Sequence, residues 1–376
     1  MLITLLATAT AFFALVFSLG IISINHKDEF KVAMVTDFSD VNDASFNQAC
    51  YEGGKEWCKQ YGIKFNYYKP SSISLAERIK SLNLAIDRGY DVILCPGYAL
   101  GEAVAKVAPK HPDVKFIGLD IGENDFPSDF KLTDNVTVYN YHEEIAGYLA
   151  GYGVVKEGFR KLGYLGGMES EQVTRFGYGY VQGADAAANE LKTDIDLQYV
   201  YGGQFFGDSE IHMHIDGWFK VDHTEIVFAC GGSIYTSVAL AAKENNGYMI
   251  GVDSDQSPII DRDYKEGMCI TSAMKGIKQT VVAKLEDLYK NGTWEKGINY
   301  LGLVSSENPE LNYVQLPMDT WRMKNFTIQD YKSLVADIMN GDKVVSSNID
   351  SPPVLSEYTH VNYEGSIKYY EEGICG

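Results

Sequence analysis

The residues best suited to chemistry stand directly after short apolar runs. Asp37-Phe38-Ser39-Asp40-Val41-Asn42-Asp43 follows the run over Lys31–Thr36, with Ser45-Phe46-Asn47 next. Pro96-Gly97-Tyr98 and Asp120-Ile121-Gly122 follow two more. Further on, the same place is held by Gly166-Gly167-Met168, Gly203-Gln204-Phe205, Ala229-Cys230-Gly231-Gly232, Asp253-Ser254-Asp255-Gln256 and Ala273-Met274-Lys275. Singly, each has a plain explanation: Asp or Ser before a helix is an N-cap, and Gly after a strand is a turn. Together they describe one ligand cleft. Carboxylates suit hydroxyl donors such as those of a sugar, at about 1.5–3 kcal/mol per hydrogen bond to a charged group. Phe46, with Phe228 or Phe205, can stack on a flat ring, at about 1–3 kcal/mol per base. Lys275 adds a directed donor. Carboxylates for a ribose and rings for a base point to a nucleoside. A nucleotide would call for several cations or a glycine-rich phosphate loop, and the sequence offers neither.

The elements that must position these residues alternate. Strands are predicted at Lys31–Thr36, Asp91–Cys95 and Val114–Leu119, with helices over Ser45–Tyr61, around Leu75–Ile86 and over Gly101–Val107. Leu75, Ile79, Leu82 and Ile86 recur at helical spacing. The alternation restarts with strands at Lys161–Leu165, Leu197–Tyr201, Glu225–Cys230, Tyr248–Val252 and Met268–Ser272. Helices over Gln172–Leu191, Ser209–Phe219, Ile234–Glu244 and Ile277–Tyr289 follow them. Such alternation predicts α/β architecture, two doubly wound parallel-sheet lobes divided near Asn140–Gly151. In open α/β sheets, ligands sit beyond the carboxyl ends of the strands. The stretch after Gly302 is less periodic and is expected to return over both lobes.

Composition narrows the classes. The 376 residues carry 32 Lys+Arg against 51 Asp+Glu, a net charge of −19. That length suits two domains, and that charge argues against nucleic acid as a partner. Leu2 to Ile24 contain no charged side chain, and as a helix they would span roughly 35 Å. Residues 1–29 therefore read as a signal peptide or N-terminal membrane anchor, although no Lys or Arg precedes the apolar stretch as a signal normally requires. Cys50 is the first cysteine, so a lipid-modified cysteine cannot follow that stretch. Cys50 and Cys58 lie too far apart on one helix to bridge, and Cys95, Cys230 and Cys269 read as small core residues. The chain is expected to be exported and to work outside the cytoplasm, tethered by its N-terminal segment.

The ordered motifs resemble a known family. Asp37 with Val41-Asn42-Asp43-Ala44-Ser45-Phe46-Asn47-Gln48 and Tyr51-Glu52-Gly53 resembles the opening motif of the basic membrane proteins, the purine nucleoside receptors of ABC transporters. Glu143–Tyr152 looks like that family's crossover segment. Gly163–Met168, Phe228–Gly232, Ile250–Gln256 and Thr271–Lys275 match later blocks in order. The resemblance spans roughly residues 31–305. It implies a type I periplasmic-binding-protein fold with three crossovers. Lobe 1 would hold 30–143 and about 275–305, lobe 2 144–274 and about 306–376. It further implies a purine clamped between Phe46 and Phe228, with Phe205 the rival for the second ring. The base edge would be read at Asp37 and Asp120 with Asn42 close by. The ribose would be held by Asp253, Lys275 and the Gly231-Gly232 turn. The implied ligands are adenosine, guanosine or inosine, and the implied partner is an ABC permease, with the protein a monomer and no cofactor. Ser39 stands where the family usually has Gly, and Gly231–Ile234 where it has a longer Gly-Thr-Gly turn.

Two other classes stay in view. A nucleoside hydrolase using the same carboxylates would need a partnered nucleophile or a metal-bound water. Asp37–Asp43 lacks the spacing of a calcium loop, and His212 and His214 face different sides of one helix. A tethered sensor lobe for a sugar or nucleoside would use the same fold, though the sequence carries no output domain. Arg175-Phe176 can approach the cleft or lie in helix core. The Asn-x-Thr triplets at Asn135, Asn291 and Asn325 are chance-level patterns, and Tyr358, Tyr363, Tyr369 and Tyr370 read as packing.

Overall fold

A computed structural model describes residues 30–38 and 40–368. The expectation of a signal or anchor over residues 1–29 lies outside the described residues, as do Tyr369 and Tyr370. Among the described residues, no helix is long and apolar enough to cross a membrane.

The first sheet has six parallel strands in the order β11-β5-β4-β3-β1-β2. These are β1 (Lys31–Val35), β2 (Lys64–Tyr68), β3 (Val92–Pro96), β4 (Lys115–Leu119), β5 (Val136–Tyr141) and β11 (Gly297–Leu301). Helices α1 (Phe46–Tyr61), α2 (Leu75–Asp87) and α3 (Gly101–Val107) connect its strands. The second sheet runs β12-β10-β9-β8-β6-β7-β13 and is parallel except at β12. Its strands are β6 (Lys161–Gly166), β7 (Ile195–Tyr201), β8 (Ile226–Cys230), β9 (Tyr248–Asp253), β10 (Cys269–Lys275), β12 (Val314–Gln315) and β13 (Thr359–Ser366). Helices α4 (Glu143–Glu157), α5 (Glu171–Leu191), α6 (Ser209–Lys220), α7 (Tyr235–Asn245), α8 (Ser257–Asp263), α9 (Ile277–Glu286) and α10 (Ile328–Asn340) complete the chain. The chain passes between the sheets three times: from β5 to β6, from β10 to β11 and from β11 to β12.

Five strands have no counterpart in the sequence reading, for physical reasons. β2 (KFNYY) and β13 (THVNYEGS) are edge strands with mostly solvent-facing side chains, so neither carries an apolar run. β5 (VTVYNY) is buried throughout yet contains Thr and Asn, and Asn140 is accommodated by donating to the Ile121 carbonyl at 3.0 Å. β11 is half-buried, and β12 is only two residues long. Both strands of the tail, β12 and β13, join opposite edges of the second sheet.

Helices α4 and α5 meet backbone to backbone. A Cβ on Gly147 would stand 2.1 Å from the Phe176 carbonyl oxygen, and one on Gly151 2.1 Å from that of Tyr180. The reverse contacts are as close: Gly179 against the Glu144 oxygen and Gly183 against that of Tyr148, both 2.0 Å. Glycine at i and i+4 on each helix therefore sets the spacing that brings Glu143 and Arg175 together. Gly179→Ala is expected to force the helices apart at a cost of about 1–3 kcal/mol, read as a lower midpoint in urea unfolding. An unchanged midpoint would mean that the contact yields freely.

The five described cysteines are free and buried, matching small core residues. His212 and His214 pair with different carboxylates, Glu244 at 3.0 Å and Glu364 at 2.8 Å, as expected of residues facing different sides of α6.

Candidate functional site between the two sheets

Register brings the strand ends together. In the first sheet Pro96 pairs with Leu119, so Gly97 and Asp120 leave β3 and β4 side by side. A Cβ on Gly97 would lie 3.5 Å from an Asp37 carboxylate oxygen, which seats the β1 end beside them. In the second sheet Gly166 pairs with Cys230 and Asp253 with Met274, so Gly167, Gly231, Asp253 and Lys275 form the opposing rim. Asp120 and Asp253 both have left-handed backbones, with φ of 54° and 63°. Such a conformation costs a non-glycine residue about 1–3 kcal/mol and is found where a side chain must be aimed. Asp is among the residues that tolerate it best.

Lys275 is the hub. Its ammonium pairs with Asp120 from the first sheet, Asp253 (3.5 Å) from the second and Glu143 (3.7 Å) from the crossover helix α4. The same nitrogen lies 5.0 Å from the ring centre of Phe46, 5.3 Å from Phe176 and 5.7 Å from Tyr141. Burial disfavours the ammonium, but Asp120, Asp253 and Glu143 outweigh it and hold its pKa above that of ordinary lysine. Burial pushes the Asp120 and Glu143 carboxyls upward, Lys275 offsetting part of that shift in each.

Direct bonds also join the lobes. The Ser45 hydroxyl donates to Asp253 at 2.5 Å. It is available to do so because Asp43, not Ser45, caps α1. The Asp43 carboxylate accepts from the backbone amides of Ser45, Asn47 and Gln48, each at 3.0 Å. The Gln256 side-chain amide donates to the Ala44 carbonyl at 3.1 Å, and the Tyr98 hydroxyl reaches the Met168 sulfur at 3.4 Å.

Phe205 lies beyond the end of β7, half-buried, in a cradle of glycines. A Cβ on Gly167 would fall 2.4 Å from its ring and one on Gly231 2.7 Å. Gly231 (φ 128°) and Gly232 (φ 51°) take left-handed conformations here, and the Ser233 amide donates to the Phe205 carbonyl at 2.9 Å. The Tyr98 ring approaches Phe205 from the other lobe, centre to centre 6.5 Å.

Phe228 requires a correction. It lies inside β8 with no exposed surface, packed edge-on against Tyr164, Phe176 and Tyr180. A ring so enclosed has no face to offer a base, and Phe205 is the second-lobe aromatic that the glycine turns present. Asn42 is exposed on the loop before α1, while Asn47 is buried against Asp43. Asp37, Phe46, Asp120, Gly231, Gly232, Asp253 and Lys275 all stand at the strand ends or helix start that face between the sheets. Ser45 and Gln256 belong to the strand-end segments read from the sequence, and Arg175 to a helix able to approach the cleft, but none of them, nor Glu143, is marked there as a ligand contact. Their roles depend on contacts between distant segments, which no local spacing reports.

Two doubly wound lobes, three passages between them and a polar cluster beyond the strand ends give the fold of the type I periplasmic binding proteins. The chain belongs to the family of PnrA-like ABC transporter substrate-binding proteins, whose family model matches residues 30–310. It is 31% identical over 288 residues to the ABC transporter nucleoside-binding protein BmpA of Lactococcus lactis subsp. cremoris, covering 72% of this chain and 78% of that one. To basic membrane protein A of Borreliella burgdorferi it is 28% identical over 328 residues, covering 85% and 89%. Among solved structures, an ABC transporter solute-binding protein from Aeropyrum pernix superposes with a TM-score of 0.66 at 20% identity, covering 83% of this chain and 86% of that one. A second, from Conexibacter woesei, gives 0.64 at 20% identity, covering 85% and 99%. This likeness shows the shared fold. The protein is thus a substrate-binding protein of the ABC transporter family, a class that works on the extracytoplasmic side of the membrane and is not an enzyme family.

Proposed function

We propose that this protein captures a purine nucleoside (adenosine, guanosine or inosine) between its lobes and, as a tethered monomer, hands it to an ABC permease. The observation that carries the reading is the meeting of Asp120 and Phe46 from one lobe with Asp253 and Lys275 from the other. Phe205 stands on the second rim in its glycine cradle. The base stacks on Phe46 and Phe205, with Asp37 and Asp120 reading its edge. Asp253, Lys275 and the Gly231-Gly232 turn hold the ribose. A ligand that bridges both lobes biases the hinge toward closure in proportion to its preference for the closed state. The name of the Lactococcus relative, a nucleoside-binding protein, supports the same ligand class.

The test is isothermal titration of residues 30–376, unfolded and refolded to strip carried-over ligand. The titrants are adenosine, guanosine, inosine, uridine, ribose and adenine. Saturable binding of purine nucleosides with ribose silent is expected. Binding of ribose or another free sugar with nucleosides silent would overturn the ligand while leaving the fold intact.

A further inference from the structure

The floor of the cleft, at the crossover, holds charged groups that the nucleoside reading does not use. Glu143 opens α4 and is fully buried, and among the described residues neither carboxyl oxygen has a hydrogen-bond partner. One oxygen lies 3.7 Å from the Lys275 ammonium, and the other lies 3.6 Å from Nη1 of Arg175 on α5. Both distances are ion-pair contacts beyond the 2.7–3.2 Å range of a hydrogen bond. Arg175 is itself anchored, paired with Glu171 through its other nitrogen and lying 5.4 Å from the centre of the Tyr300 ring across the lobe boundary. Among the described residues, its Nη1 has no hydrogen-bond partner, and neither does Oδ1 of Asp120. Buried polar atoms are nearly always bonded, so a convergent set that is not calls for an explanation.

We infer that Glu143 and Arg175 form a hydroxyl subsite at the base of the cleft, a further point of contact for the sugar of the ligand. A single oxygen about 2.8 Å from both Glu143 and Arg175 bridges the gap between them. A hydroxyl donates one proton and accepts on two lone pairs, so it serves a carboxyl and a guanidinium at once. A phosphate only accepts and would face Glu143, Asp120 and Asp253. An ammonium only donates and would duplicate Lys275. The inference rests on the nucleoside reading and gives Glu143 and Arg175 a part in it.

The test compares inosine with its 2′-, 3′- and 5′-deoxy analogues by isothermal titration against the wild type, Glu143→Gln, Glu143→Ala and Arg175→Met. In the wild type, one deoxy analogue is expected to bind at least about tenfold more weakly than inosine, equivalent to about 1.4 kcal/mol. In Glu143→Ala and in Arg175→Met that ratio is expected to fall to within about threefold of unity, with the other two ratios unchanged. Glu143→Gln, which keeps the shape and a hydrogen-bonding oxygen, is expected to retain an intermediate ratio and guards against misfolding of the alanine variant. If the variants weaken inosine and all three analogues equally, Glu143 and Arg175 are structural and the inference falls while the nucleoside reading stands. If the wild type binds none of the four, both fall.

Discussion

Replacing Lys275 by methionine is expected to have the largest effect of any single change in the cleft. The ammonium is the cation shared by Asp120, Asp253 and Glu143, which come from the two sheets and the crossover helix. Removing one partner of a buried ion pair leaves an uncompensated charge and costs about 3–5 kcal/mol. The protein can relieve that cost by opening its lobes, which rehydrates the carboxylates. Ligand-free Lys275→Met should therefore show a larger radius of gyration than wild type in small-angle scattering, and a lower melting temperature. The effect should depend on pH with a definite sign. Burial raises the Asp120 and Glu143 carboxyls above their ordinary values in the folded state. A folded state that holds its acid protons more tightly is favoured below the unfolded pKa, and that advantage is lost as pH rises through the folded pKa. Without the lysine this dependence steepens, so the variant should be closest to wild type near pH 5 and weakest near pH 8. A scattering profile identical to wild type at both pH values would show that Lys275 does not hold the lobes together.

The second large effect separates the two candidate rings. Phe228→Ala is expected to cost about 3–5 kcal/mol of folding stability, because it empties the space among Tyr164, Phe176 and Tyr180. Phe205→Ala removes a half-buried ring at the rim and should leave the melting temperature within a few degrees of wild type. Its expected cost is in binding, at about 1–3 kcal/mol for every purine nucleoside alike. Thermal melts beside titrations of the two variants decide the matter. Normal stability with lost binding in Phe228→Ala would restore it to the cleft.

That contrast also shows where the sequence was informative. Lobe pattern and strand ends were legible because apolar runs followed by Asp, Gly or Lys mark where a parallel strand stops and its ligand face begins. Asp120, Asp253 and Lys275 were found this way, each at or just past a strand terminus. Phe228 was misplaced against the same rule. It lies two residues inside β8, where side chains pack under helices, whereas Phe205 follows the end of β7. The helical half of the site was less legible. Phe176 fits helix periodicity equally well as core or as site, and it does both, packing on Phe228 while lying 5.3 Å from the Lys275 ammonium. Glu143 and Arg175 meet only because glycines on α4 and α5 allow the helices to touch, a relation between segments about thirty residues apart. Edge strands β2 and β13 escaped notice because half-solvated strands need no apolar run.

The measurement that bears most directly on the central claim is a crystal structure of residues 30–376 with inosine, grown after refolding to remove carried-over ligand. The account predicts the base between Phe46 and Phe205, Lys275 turned toward the ribose and the carboxylates of Asp120 and Asp253 on opposite ends of the ligand. A nucleoside bound outside the space between the two sheets, or bound there with neither ring against the base, would contradict it.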